Sequence, residues 1–263
     1  MIKIVLRTVC FFSALTLLSL SVLAGQSNTL FLGKLDLRSK QSVTQLSQIS
    51  TDLANADNPY FFDRNHLYFS QVSDASNEQQ SELFVWELSS KKVRNIARSS
   101  ENKLASLSAP KDSALLVIRE KDNDNSELRA INVNGNPETY LVQNGEGIHT
   151  SINSHQFEKS NWYLYTENRH EAQLKAYNAK SKKTIVVARL PQGSEYFSVS
   201  ATGHLIVSDG SKLYQRQVIA KGENLQAESE WSPMNINSAF CQSGITKTAI
   251  SPYGEMIALV CSN

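Results

Sequence analysis

Apolar positions come in short strand-like bursts, each preceded by turn residues, and the bursts recur at a nearly constant interval. Residues 63–65 precede Leu67–Ser70, Pro110–Asp112 precede Leu115–Ile118, and residues 158–160 precede Trp162–Tyr165. Residues 201–203 then precede Leu205–Ser208, and Ser251–Gly254 precede Met256–Val260. The bursts begin at 67, 115, 162, 205 and 256, so the steps are 48, 47, 43 and 51 residues. A period of this length, carried by strands rather than helices, is the signature of a propeller blade.

The first four bursts are each followed by a second amphipathic strand: Leu83–Trp86, Leu128–Ile131, Leu174–Tyr177 and Leu213–Arg216. Turns rich in Ser, Asn, Gly and Lys, at 89–92, 134–137 and 180–183, lead to third strands at Val93–Ile96, Thr139–Val142 and Thr184–Val187. Gly, Asn and Ser at such tips are hairpin chemistry.

The last repeat stops at Asn263, half built. Its missing half stands at the other end of the chain, as Leu30–Leu37, a turn at 38–40, and Val43–Ile49. The pattern therefore predicts an all-β chain forming a single β-propeller of about five four-stranded blades. In this reading the N-terminal strands complete the C-terminal blade, which removes the open sheet edges that invite aggregation. Residues 229–244 exceed an ordinary connection between blades, so strands within Trp231–Phe240 would make the ring irregular or incompletely six-bladed.

The blade pattern resembles the TolB-like propeller repeat, a relative of the WD-type repeats. The residues that carry the likeness are Ser251-Pro-Tyr-Gly254 before an apolar strand, with degenerate copies at Ala109–Asp112 and Ser200–Gly203. It spans residues 25–263 as one domain, without the additional N-terminal domain that TolB itself carries. What the resemblance implies is a fold module.

Composition enters through the N-terminus. Lys3 and Arg7 open the chain and an apolar run follows from Val9 to Leu23, ending in Val22-Leu23-Ala24 and then polar Gln26–Asn28. This is the pattern of a signal peptide at 1–24, cleaved after Ala24. The alternative, a retained anchor, needs about 20 apolar residues. No Cys follows Ala24-Gly25, which argues against lipidation. The expectation is a periplasmic or secreted, monomeric protein with no stable membrane span.

The whole chain has 26 basic and 25 acidic residues; removing Lys3 and Arg7 leaves 24 against 25, a formal charge of −1. Near-neutrality argues against a nucleic-acid or anionic-membrane partner, since both depend on a concentrated basic surface. Cys10 leaves with the leader, so Cys241 and Cys261 remain, either as one bridge or as two free thiols. Export favours the disulfide.

In an up-and-down blade, the end of the second strand returns beside the start of the first, which would bring Cys261 near Ile245 and Thr246, close to Cys241. On the face where the loops between blades rim the axial channel, the repeat places Asp52, Asn55, Asp57, Lys103, His149, Glu195 and Lys247 as candidate ligand- or partner-binding residues. Polar loops at 71–82 and 119–127 surround them. Mixed carboxylate, imidazole and ammonium groups can support acid–base chemistry, and equally an ordinary hydrated channel mouth.

Axial carboxylates serve glycosidases on five-bladed propellers, and Asp52, Asp57 and Glu195 are the contributors by position. The strands expected innermost, Ala105–Ser108 and Ser151–Ser154, are small and hydroxyl-rich rather than aromatic. Residues 122–127 invite a calcium reading, but lack the glycine of the sharp turn and the closing Glu. His66, His149, His155, His170 and His204 show no pair at metal-ligand spacing. No nucleophile elbow or phosphate loop occurs.

The reading is therefore a non-catalytic scaffold for an envelope or periplasmic protein or peptide, with no catalytic residues, metal or cofactor. A carbohydrate-active or sugar-binding propeller is the alternative.

Overall fold

The structure is a computed structural model. It describes residues 27–38, 42–49, 55–73, 80–99, 114–120, 125–132, 139–146, 149–150, 162–168, 171–178, 180–221, 224–228, 230–236 and 240–262. Residues 1–24, for which a signal peptide is expected, Asp52, Lys103 and the segments 105–108 and 151–154 lie outside the described residues.

The described strands are, in chain order, β1 (Asn28–Leu35), β2 (Val43–Gln48), β3 (Ala56–Phe61), β4 (His66–Ser73), β5 (Gln80–Glu87), β6 (Lys92–Ser99), β7 (Ala114–Glu120), β8 (Asn125–Asn132), β9 (Thr139–Glu146) and β10 (His149–Thr150). They continue as β11 (Trp162–Asn168), β12 (Ala172–Asn178), β13 (Lys183–Arg189), β14 (Phe197–Val199), β15 (His204–Ser208), β16 (Leu213–Lys221), β17 (Asn224–Ala227), β18 (Ser232–Met234), β19 (Ile245–Ile250) and β20 (Met256–Ser262).

These strands form small antiparallel sheets arranged as a β-propeller. Four sheets show the full four-strand path, namely β3-β4-β5-β6, β10-β11-β12-β13, β14-β15-β16-β17 and β19-β20-β1-β2, and a further sheet contains β7-β8-β9. In the sheet that holds both chain ends, β1 runs antiparallel to β20 from Asn28↔Ser262 to Lys34↔Met256.

The reason lies in β20. Its residues 257–262 are all buried, and alternate side chains serve opposite faces because a strand has period two. Ala258 and Val260, with Leu30 of the neighbouring β1, pack against Phe61, Leu67 and Phe69 of the β3-β4-β5-β6 sheet. Ile257, Leu259 and Cys261 pack with Ile206, Leu213 and Met234 on the other side. A strand covered on both faces needs a continuous apolar run, and each fully buried Leu or Ile contributes roughly 1.5–3 kcal/mol relative to exposure. Edge strands differ: β2 and β13 each bury only one side chain.

A third cluster joins the sheets of β10–β13 and β14–β17, with Trp162, Leu164 and Leu174 against Phe197, Val199 and Leu205. Trp86 and Phe197 are buried in these clusters between sheets.

Two expectations need correction. Residues 232–234 form β18, which pairs with β16 at Leu213↔Met234 and Gln215↔Ser232, so this long connection extends an existing sheet. It does so because β16 is nine residues long and its second half is already paired with β17. The polar loops are also shorter than 71–82 and 119–127. β4 and β5 stay paired out to Ser73↔Gln80, and β7 and β8 out to Glu120↔Ser126, because backbone ladders do not depend on the side chains being apolar.

Candidate functional site

The described candidates, Asn55, Asp57, His149, Glu195 and Lys247, gather at one edge of the sheets, where each sheet's first strand begins. At that edge β3 starts with Ala56↔Gln71, β10 with His149↔Thr166, β14 with Phe197↔Val207 and β19 with Ile245↔Cys261.

Its centre is Lys247. The ammonium donates to Asp57 Oδ2 and to Asn58 Oδ1, each at 2.7 Å, and stands 4.8 Å from the centre of the Tyr196 ring, within cation–π range. Both charged side chains are largely covered, Lys247 retaining 17% and Asp57 22% of its exposure. Three first strands, or the residues leading into them, thus meet on one cation.

Local backbone geometry makes this possible. Asn55 and Asn58 both have left-handed φ values, 62° and 49°, a conformation Asn tolerates better than most residues. Register between β3 and β4 slips between Asp57 and Tyr60, so the side chains of 57 and 58 do not simply alternate across the sheet. Asn58 Nδ2 donates to Ser70 Oγ, and Ser70 Oγ donates to the Asp57 carbonyl, which ties the bulge to β4. Asp57 Oδ1 is buried and meets no donor.

Beyond Lys247, the hydroxyls of Ser198 and Thr248 lie 3.0 Å apart in the interior, linking β14 to β19. Thr166 Oγ1 donates to the Glu195 carbonyl at 2.8 Å, which joins the β11 end to the segment entering β14. Ser208 Oγ donates to the Ile245 carbonyl, and the Ile245 N–H donates to the Gly210 carbonyl. Cys241 and Cys261 form a disulfide with a Cα–Cα distance of 5.1 Å. Cys261 pairs with Ile245, so the bridge fastens this same edge.

Of the candidates, the structure brings Asp57 and Lys247 into direct contact, with Asn55 one turn residue before β3. Glu195 is exposed beside Tyr196 on the segment before β14. His149 begins β10 at the same edge. Asp52 and Lys103 are not among the described residues. Sequence reasoning missed Asn58 and Tyr196, the immediate neighbours of two candidates. The Asn58-Pro59 dipeptide, a turn-initiating pair, was the available signal for the first; Tyr196 had none beyond its position. Among the described residues no group of three or more His, Cys, Asp or Glu side chains is placed to hold a metal ion.

No family model matches the chain, and no curated protein matches it either. Among solved structures, it is similar to TolB from Acinetobacter baumannii, with 12% identity over 89% of this chain and a TM-score of 0.44. The chain spans 63% of that TolB chain. It is also similar to oligogalacturonate lyase from Vibrio parahaemolyticus, with 11% identity, coverage of 88% of this chain and 72% of that one, and a TM-score of 0.37.

Proposed function

We propose that this chain is an exported, non-catalytic propeller of five blades, closed into a ring by the sheet that joins its two ends. It holds a protein or peptide of the bacterial envelope on the edge around Lys247. The observation that carries this reading is the Lys247 ammonium bound to Asp57 and Asn58 of another sheet. One oxygen of the best-placed axial acid is thereby committed to holding neighbouring sheets together, and the edge is braced by a disulfide and buried hydroxyl contacts. A pre-organised surface of this kind lowers the ordering cost of binding a partner. The disulfide suits an oxidising compartment, in keeping with the N-terminal signal pattern.

In-cell crosslinking of the tagged chain, followed by mass spectrometry, tests the reading. A small, reproducible set of envelope proteins is expected; no reproducible partner would sink it.

A second reading, a sugar-binding or carbohydrate-active propeller, rests on Asp57 Oδ1, which is buried with no donor and is suited to accept a hydrogen bond from a hydroxyl. Asp57→Ala and Glu195→Ala variants that turn over a glycan panel no differently from the parent remove its catalytic form.

A further inference from the structure

The chain passes from β13 to β14 through residues 190–196, and a cavity lies on each side of that crossing. One, of about 450 Å³, is lined by Asn168, Glu171 and Ser194 among others; the second, of about 440 Å³, is lined by Tyr214, Arg216, Glu230 and Trp231. Arg189, Leu190 and Pro191 line both, so the two cavities share a wall. Both open at the sheet edge that carries Glu195 and Lys247, because β13 ends there and β18 pairs with the start of β16.

The second cavity has a built interior. The Trp231 indole N–H donates to the Arg189 carbonyl at 2.7 Å, which fixes the ring as a wall while it packs against the core cluster beneath. The Arg216 guanidinium carbon lies 5.7 Å from the centre of that ring. Its Nε is buried with no acceptor. Among the described residues Arg216 forms no ion pair, although Glu230 lines the same cavity; Arg189, by contrast, is paired with Glu171 at 3.2 Å. Across the shared wall, the Ser194 hydroxyl is buried and also without a partner. The Arg216 side chain is only partly buried, so its guanidinium brings to this cavity a positive charge that no ion pair among the described residues balances.

We infer that this crossing is a subsite for a carboxylate carried on an extended peptide. The planar fork of Arg216 matches a carboxylate in two-point geometry. Trp231 and Pro191 offer an apolar wall to the neighbouring side chain. The inference rests on the peptide-binding reading of this face, and names the chemistry of the partner.

The test titrates the full mature chain with three acetylated pentapeptides and follows tryptophan fluorescence, to which Trp231 contributes as the partly exposed tryptophan beside the subsite, Trp86 and Trp162 being buried. They are Ala-Leu-Glu-Leu-Ala amide, its Gln counterpart, and the Gln peptide with a free C-terminal carboxylate. At least one carboxylate-bearing peptide is expected to bind tenfold or more tighter than the Gln amide, the internal Glu and the free terminus distinguishing the two sources. Arg216→Gln is expected to abolish that advantage and Arg216→Lys to retain part of it. Equal affinity for all three peptides on the parent protein overturns the inference without needing any variant, and so does an advantage that survives Arg216→Gln. Envelope crosslinks that persist in Arg216→Gln, together with equal peptide affinities, would overturn this subsite while leaving the broader reading standing.

Discussion

Lys247 and Asp57, 190 residues apart in the chain, form a 2.7 Å ion pair that joins the first strand of the C-terminal sheet to the first strand of the sheet that follows the N-terminal hairpin. Because both side chains are mostly covered, the pair is screened less than a surface contact. Removing one partner leaves the other charge partly buried. Asp57→Ala and Lys247→Met are each expected to lower unfolding free energy by about 2 kcal/mol. The double variant should lose less than the sum by at least about 0.5 kcal/mol, since the two residues share one interaction. Urea denaturation of the four proteins in the cycle measures it.

The Cys241–Cys261 bridge closes a loop with a sequence separation of 20. On the chain-entropy account its loss costs about 3 kcal/mol. A Cys241→Ala/Cys261→Ala variant should unfold at lower urea by a corresponding amount and should be indifferent to reductant, whereas the parent should lose its advantage on reduction. Parallel unfolding curves with and without dithiothreitol would check both.

Gly244 and Gly210 offer a paired comparison. Gly244 has φ of 125°, and a Cβ there would lie 2.4 Å from the Gly210 carbonyl oxygen. Gly210 has φ of 91° but nothing within 4 Å of its added Cβ. Gly210→Ala is expected to cost about 1 kcal/mol through backbone conformation alone. Gly244→Ala should cost clearly more, since backbone must move as well. Thermal melts of the two variants rank them.

His204 is held below the usual histidine range, first by burial and second by the nearby charge of Arg38. In the unfolded chain the imidazole takes up a proton as pH falls through its ordinary value of 6.5; in the folded protein it resists until lower pH. The unfolded state therefore binds more protons, and stability falls on acidification below about pH 6.5. His204→Gln should flatten that slope, as read from unfolding midpoints between pH 7.5 and 5.

The strand pairing within the blades, the sharing of one sheet by both chain ends, and the approach of Cys261 to Ile245 were legible because they follow from period-two apolar runs and an incomplete repeat. Met256–Val260 reads as a buried central strand from its composition alone. The edge on which Asp57, Glu195 and Lys247 lie was legible from counting strand starts.

What was not legible depends on irregularities that a periodic pattern averages away. The register slip at Asp57–Tyr60 turns Asn58 toward Lys247, and no alternation rule foresees it. Ser232–Met234, with a Pro in its centre, reads equally as loop or strand, and is a strand because the first half of β16 offers an edge that β17 does not use. Arg216 and Trp231 read as ordinary strand and connection residues, since their meeting depends on how two sheets pack.

The central claim, that the edge around Lys247 is the partner-binding surface, is tested most directly by face-resolved photocrosslinking in the cell envelope. A photoreactive residue would be placed at Glu195 or Gln192 on that edge, and at exposed Phe62 or Tyr253 in the turns at the opposite edge. Reproducible partner adducts are expected from Glu195 and Gln192, and none from Phe62 and Tyr253. Adducts confined to Phe62 and Tyr253, or equally abundant from both edges, would contradict the claim.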